Sequence, residues 1–101
     1  MYGAAVAALL LGSAAAPSQA ETIKVTIDRL VYAPAEIAAK VGDEIEWINK
    51  DALVHTATVK GGADVLLPAK KSGSLLLQEP GSFDYICRYH PNMKGHITVR
   101  P

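Results

Sequence analysis

This chain of 101 residues has a single cysteine, no net charge and no long stretch with the period of a helix. Cys87 is the only cysteine, so no disulfide can form within the chain. Basic and acidic residues balance, ten of each, and we therefore expect no nucleic-acid partner. Internal repeats and a glycine-rich phosphate loop are also missing. Half of the residues are apolar, which is typical of one small globular domain.

Charged residues are absent from the first twenty positions, MYGAAVAALLLGSAAAPSQA, and all of them lie from Glu21 onward. An apolar run and then small residues, with Ser18 and Ala20 at the cleavage-site positions, predict a secretory signal peptide over residues 1–20. The usual positive charge before the run is missing, which is compatible with a start further upstream. A membrane anchor fits less well, because the run is shorter than the ~20 residues that span a bilayer and ends at Pro17.

We therefore expect a protein that is periplasmic or otherwise exported, without stable membrane insertion, whose functional domain covers residues 21–101. In an oxidising compartment an unpaired thiol is exposed to oxidation and mispairing. A lone cysteine is more often a buried hydrophobic residue than a reactive one. The expected export nevertheless favours a functional role for Cys87.

Apolar residues alternate with period two along most of residues 21–101, as in half-buried β-strands. Glycine and proline interrupt this alternation, as at Pro34. The strands predicted in this way cover residues 22–27, 37–41, 45–47, 55–59, 75–77, 83–87 and 96–99. Residues 63–73, ADVLLPAKKSG, are predicted as a loop or one helical turn. The pattern predicts an all-β fold, an antiparallel β-sandwich or barrel of about seven to eight strands.

The segment YICRYHPNMKGHITV, residues 85–99, holds most of the chemically distinctive side chains. Cys87, His90 and Met93 stand in the pattern Cys-x-x-His-x-x-Met between two predicted strands. His55 lies on a different predicted strand, which a sandwich can bring close. Two imidazoles, one thiolate and a weak axial thioether form the ligand set of blue-copper sites. This set suits one-electron transfer, because soft sulfur favours Cu(I) and imidazole also accepts Cu(II).

Other interpretations of the same residues are weaker. Structural zinc prefers four Cys or His ligands and seldom uses a thioether. A nucleophilic Cys/His enzyme needs an orienting group and an oxyanion site, which the sequence does not mark. Taken alone, His55 would be an ordinary half-buried histidine and Met93 a core residue, but their joint occurrence with Cys87 argues against both readings. We expect His96 to be exposed and non-ligating, and Trp47 and Phe83 to be core residues.

The segments VGDEIEWINKDALVHTATV and PGSFDYICRYHPNMKGHITV resemble the cupredoxins, the family of small blue-copper proteins that includes plastocyanin, pseudoazurin and amicyanin. The compact ligand loop is most similar to that of amicyanin. The resemblance implies an eight-stranded Greek-key sandwich with one type 1 copper ion near one end, His55 within the body of the fold and His90 near the surface. It departs from the family at Thr56, where asparagine is common, and at Arg88 and Tyr89, where amicyanin-like loops have threonine and proline.

The resemblance implies a mobile electron carrier rather than an enzyme. Three histidines cannot supply a second metal centre, which excludes a multicopper enzyme. A copper carrier or storage protein is the alternative, but such proteins display clusters of exposed Met or His. We expect a monomer that exchanges electrons with redox proteins, for which amicyanin-like proteins suggest a c-type cytochrome or methylamine dehydrogenase.

We expect these partners to dock around His90. The proposed apolar rim consists of Leu53, Leu67 and Pro91. Nearby positive charge is expected from Arg88, Lys94, Lys70 and Lys71. Thr56 is expected to replace part of the bonding of the family's asparagine and to influence the Cys87 sulfur.

Overall fold

The computed structural model describes residues 19–101. The predicted signal peptide therefore lies almost wholly outside the described residues. Within them, no helix is both long and apolar enough to cross a membrane.

In this part of the chain nine β-strands form two sheets packed face to face, which confirms the predicted all-β sandwich. The strands are β1 (Thr22–Asp28), β2 (Val31–Ala33), β3 (Glu36–Lys40), β4 (Glu44–Asn49), β5 (His55–Thr58), β6 (Asp64–Leu67), β7 (Ser72–Leu76), β8 (Gly81–Ile86) and β9 (Lys94–Arg100). One sheet has the order β2-β1-β4-β7, and the other has the order β3-β9-β8-β5-β6. Most neighbours are antiparallel, but β1 pairs parallel with β4 and β3 with β9. Parallel neighbours need a crossover connection, and in both pairs the chain crosses to the other sheet between the two strands.

Two short strands were not expected from the sequence. β2 lies just before Pro34, and β6 lies in the segment predicted as a loop or helical turn, so that prediction was wrong. In β6 the side chains of Val65 and Leu67 face inward, while Asp64 and Leu66 are exposed. Pairing with β5 decides the conformation of this segment, because β6 adds one more antiparallel strand at the edge of the sheet.

The core anchors both strands that lead to the predicted metal ligands. Tyr85, on β8, packs against Trp47 and Tyr32, with ring centroids 5.5 and 4.6 Å away. The Trp47 indole N–H donates to the Tyr85 hydroxyl at 3.1 Å, and the Tyr32 hydroxyl donates to the backbone carbonyl of Thr56 at 2.6 Å. Burial raises the pKa of Tyr85 to about 12, so its hydroxyl group stays protonated. Trp47 is a core residue, as predicted, and Phe83 packs against the core.

Gly95 gives a direct test of this packing. It is buried on β9 opposite Tyr85, and a Cβ atom there would overlap the Tyr85 ring. We expect Gly95→Ala to lower the free energy of unfolding by about 1–3 kcal/mol, the usual cost of overpacking a core. Gly62→Ala is the control, because a Cβ there meets only ordinary contacts. Urea unfolding of the metal-free proteins would measure both, and equal midpoints would contradict the packing argument.

Candidate metal centre

The predicted ligands come from three neighbouring parts of one sheet. His55 is the first residue of β5, Cys87 directly follows β8, and Met93 directly precedes β9. β8 lies between β5 and β9 in the sheet, so these three positions fall at the same end of the sandwich. His90 lies in the loop that joins β8 to β9. The fold therefore brings His55 to the other three residues, as the sequence predicted.

Three donor atoms form a compact triangle. The His55 Nδ1 atom is 3.2 Å from His90 Nδ1, and the Cys87 Sγ atom is 3.7 Å from His55 Nδ1 and 3.6 Å from His90 Nδ1. The centre of such a triangle is about 2 Å from each corner, close to the length of a metal–imidazole bond. Among the described residues this is the group of His, Cys, Asp or Glu side chains arranged to hold a metal ion. Two nitrogens and one thiolate in a trigonal array fit copper.

Backbone hydrogen bonds close the loop from Cys87 to Met93, which carries three of the four predicted metal ligands. The His90 N–H donates to the Cys87 carbonyl at 3.2 Å, and the Met93 N–H donates to the His90 carbonyl at 2.9 Å. The Cys87 N–H donates in turn to the Met93 carbonyl at 3.3 Å. These bonds bring the buried Met93 beside Cys87. That the Met93 thioether is the fourth ligand stays a prediction.

Burial differs sharply among the donors. His55 and Cys87 are fully buried, whereas His90 is only half-buried and lies between the exposed residues Tyr89 and Pro91. The imidazole of His90 is thus the donor nearest to a docking partner. Its position agrees with the expectation that His90 lies near the surface and His55 within the body of the fold.

Asp51 is a functional residue that the sequence analysis missed. Its Oδ2 atom lies 2.8 Å from His55 Nε2, and its carboxylate accepts backbone N–H bonds from Arg29 at 2.7 Å and Leu30 at 3.0 Å. Burial opposes ionisation of the carboxyl group, but the hydrogen bonds from Leu30, His55 and Arg29 outweigh it and lower the pKa of Asp51. A carboxylate can only accept, so Nε2 of His55 carries the proton and Nδ1 keeps a lone pair for the metal.

Thr56 joins the two ligand-bearing segments, as predicted. Its hydroxyl accepts a hydrogen bond from the Arg88 N–H at 2.9 Å, one residue after Cys87. The other described partner of this hydroxyl is Thr58, at 2.8 Å. Neither of these bonds reaches the Cys87 Sγ atom, so the influence of Thr56 on the sulfur stays a prediction.

Two surface predictions have different outcomes. The sequence predicts Leu67 in the apolar rim around His90, and this prediction is wrong: the side chain is fully buried, because it faces inward on β6 opposite His55. His96 lies outside the ligand cluster, as predicted, although it is half-buried. It is 2.6 Å from an Asp84 oxygen and 2.9 Å from the Ser82 hydroxyl.

Comparisons with known proteins agree with this geometry. A family model described as a cupredoxin-like domain matches residues 2–99. Amicyanin-alpha of Methylorubrum extorquens is 33% identical over 104 residues, which cover 94% of this chain and 87% of that protein. Amicyanin of Paracoccus denitrificans is 38% identical over 84 residues, which cover 76% of this chain and 64% of that protein.

Solved amicyanin structures also match the fold. A Cu(I) form of an amicyanin variant superposes with a TM-score of 0.71 at 32% identity, covering 78% of this chain and 82% of that one. The crystal structure of amicyanin from Paracoccus versutus gives a TM-score of 0.68 at 28% identity, covering 87% of this chain and 88% of that one.

The role of Asp51 can be tested by substitution. We expect Asp51→Ala to weaken Cu(II) binding by about 10–100-fold, because His55 loses the partner that fixes its tautomer and ring orientation. Competition with a chelator would measure the affinity. The control is Asp84→Ala, which removes an aspartate that contacts His96 outside the cluster. Equal affinities of the two variants would show that Asp51 does not orient the ligand.

Proposed function

The chain belongs to the cupredoxin-like family, and we propose that it is a small blue-copper protein that carries single electrons between redox partners. The observation that carries this proposal is the triangle formed by His55 Nδ1, His90 Nδ1 and Cys87 Sγ. We assign Met93 as the fourth residue that would hold the metal, from its place in the loop and its burial. The protein acts as a carrier and not as an enzyme.

The protein's own residues determine how the site works. Bound copper supplies the change between Cu(I) and Cu(II). Asp51 holds His55 in one tautomer, and the core excludes water from His55 and Cys87. Metal-binding side chains that are held in place by the surrounding protein rearrange little when the charge of the copper ion changes, and this favours rapid electron transfer. The half-buried His90 gives the electron its shortest route to a partner.

A copper carrier or storage protein is less well supported by the same geometry. Such a protein releases its metal to another set of ligands, which requires donors that are accessible from outside. Two of the three donor residues in the triangle are fully buried here, and Met93 is buried as well. The burial therefore favours electron transfer over metal delivery.

The surface around His90 is suited to brief docking. We define the His90 rim as Leu53, Val54, Tyr89 and Pro91, which are all exposed. The backbone of Leu53 is fixed by the buried Asn49, whose side-chain amide donates to the Leu53 carbonyl at 2.8 Å. Exposed apolar residues close to a half-buried ligand allow close approach of a partner with little desolvation of charge.

Membership of the family supports a proposal for the partners and the location of the protein. A periplasmic monomer would exchange electrons with redox proteins, such as a c-type cytochrome or a dehydrogenase. Exposed cationic residues near the metal end would steer an acidic partner, although the whole chain has no net charge. They are Lys70, Lys71 and Lys94, whereas the charge of Arg88 is paired with Asp64.

The copper site has a direct spectroscopic test. We expect the protein with Cu(II) to show an intense blue absorption band and narrow copper hyperfine splitting, because a thiolate in a trigonal site interacts strongly with copper. Both signals should be absent from Cys87→Ser. A colourless wild-type protein that binds copper weakly would contradict the electron-carrier proposal and support the alternative of metal delivery.

Docking through the His90 rim can be tested without knowing the partner. Electron self-exchange between two copies of the protein requires their metal ends to meet. We expect Leu53→Asp to slow self-exchange by at least about tenfold, since it places like charges across that contact. The rate is measured by NMR line broadening in mixtures of oxidised and reduced protein.

Leu76→Asp is the matched control, because Leu76 is as exposed as Leu53 (53% against 49%) but pairs with Glu44 at the start of β4, whereas Leu53 contacts Asn49 at the other end of that strand. Its self-exchange rate should stay near that of the wild type. If both variants slowed equally, the effect would come from net charge and the rim would have no special role.

A further inference from the structure

The pairing between β5 and β8 stops short of the metal-binding loop. These strands carry His55 and lead to Cys87, yet their register rests on the single pair Thr58 and Ile86. Beyond this pair, towards the metal end, the Arg88 N–H bonds to the Thr56 side chain at 2.9 Å and not to a backbone carbonyl. A side chain thus continues the connection where the backbone ladder ends.

The Thr56 hydroxyl belongs to a closed ring of hydrogen bonds. It lies 2.8 Å from the Thr58 hydroxyl, which donates to Asp64 Oδ1 at 2.7 Å. The same carboxylate oxygen accepts a bond from Arg88 Nε at 3.2 Å. The ring therefore begins at the Arg88 backbone and ends at the Arg88 side chain. We call these four residues, Thr56, Thr58, Asp64 and Arg88, the Asp64 ring.

The direction of every bond in the Asp64 ring is fixed by its chemistry. The Asp64 carboxylate can only accept hydrogen bonds, so the Thr58 hydroxyl donates its hydrogen bond to Asp64. Thr56 must then donate to Thr58, which leaves its lone pairs free for the Arg88 N–H. Each hydroxyl both accepts and donates one bond, and all of them point towards the negative charge. Bonds arranged in this way polarise and strengthen one another.

The Asp64 ring also contacts the neighbouring aromatic residue through Arg88. The Arg88 guanidinium carbon is 5.3 Å from the centroid of the Tyr89 ring, within the range of a cation–π contact. Tyr89 is exposed and belongs to the His90 rim. Because Asp64 holds the Nε atom of Arg88, the Arg88 side chain restrains Tyr89 beside His90.

We propose that Asp64 is a positioning residue, which closes this ring and thereby holds the loop from Cys87 to Met93 in its metal-binding form before the metal arrives. The importance of this loop for copper rests on the proposed function, whereas the restraint itself does not. It also gives Arg88 a role in this loop, because both its backbone N–H and its side chain bond to members of the ring. Bonds from Thr58 and Arg88 lower the pKa of Asp64, in agreement with a carboxylate that is ionised in the ring.

Amide hydrogen exchange of the metal-free protein tests the restraint. We expect Asp64→Ala to speed exchange of the Arg88 amide by about fivefold, the upper range for a half-exposed charged pair. Thr58→Val should have a similar effect, because it removes the hydroxyl that joins Thr56 to Asp64. Thr58→Ser keeps that hydroxyl and should restore slow exchange. The control is Asp84→Ala, which breaks an exposed contact with His96 and should leave the Arg88 amide unchanged.

The double variant Asp64→Ala/Thr58→Val tests whether Asp64 and Thr58 act as parts of one ring or as two independent contacts. Members of one network give less than additive effects, so the double variant should exchange little faster than either single variant. Fully additive effects, or an Arg88 amide that exchanges alike in Asp64→Ala and Asp84→Ala, would overturn the proposal.

A second measurement connects the restraint to the metal. Asp64→Ala should keep the blue band but bind Cu(II) several-fold more weakly, because the loop must then be ordered on binding. Unchanged affinity would overturn the role of Asp64 at the site. The exchange experiment needs no copper, so its failure would leave the electron-carrier proposal intact. A wild-type protein without a blue band would refute that proposal and leave the exchange result valid.

Discussion

The contact between His55 and Cys87 is the constraint on which the rest of the structure depends. Their donor atoms lie 3.7 Å apart although the residues are far apart in sequence. Neither side chain could reach the other without the pairing of β5 with β8, and that pairing is short. The aromatic core secures it on both sides, through Tyr85 on β8 and through Tyr32, which bonds to Thr56 on β5. The sandwich is therefore a frame that fixes a short distance between two strands.

A small domain must hold polar donors in its interior without leaving them unsatisfied. Among the described residues, every buried side-chain nitrogen or oxygen has a hydrogen-bond partner. Asn49 illustrates this, because its buried amide donates to the carbonyls of Leu53 and Leu67 and so joins the loop before His55 to the end of β6. Asp51 holds the imidazole while backbone amides of the β1–β2 turn satisfy its charge. The buried polar groups therefore orient the site at little cost in stability.

The metal-binding loop shows how one physical requirement can be met by different residues. Preorganised ligands need a loop that does not move, and proline provides this by restricting the backbone. Here Arg88 and Tyr89 lack that restriction. The bonds from Arg88 to Thr56 and Asp64 offer a tertiary restraint in its place. The restraint therefore depends on residues of two strands, β5 and β6, and not on the loop alone.

The sequence by itself determined the ligand types, their spacing and the class of fold. Cys87, His90 and Met93 are close in the chain, and the alternation of apolar residues reports directly on strands, so local information was sufficient. It did not reveal β6, the burial of Leu67 or the role of Asp51. Each of these depends on which strand lies opposite: Leu67 points inward because it pairs with His55, and Asp51 meets His55 because the loop folds back onto the β1–β2 turn. Side-chain direction and hydrogen-bond partners are set by register and loop closure, and only the tertiary structure decides those.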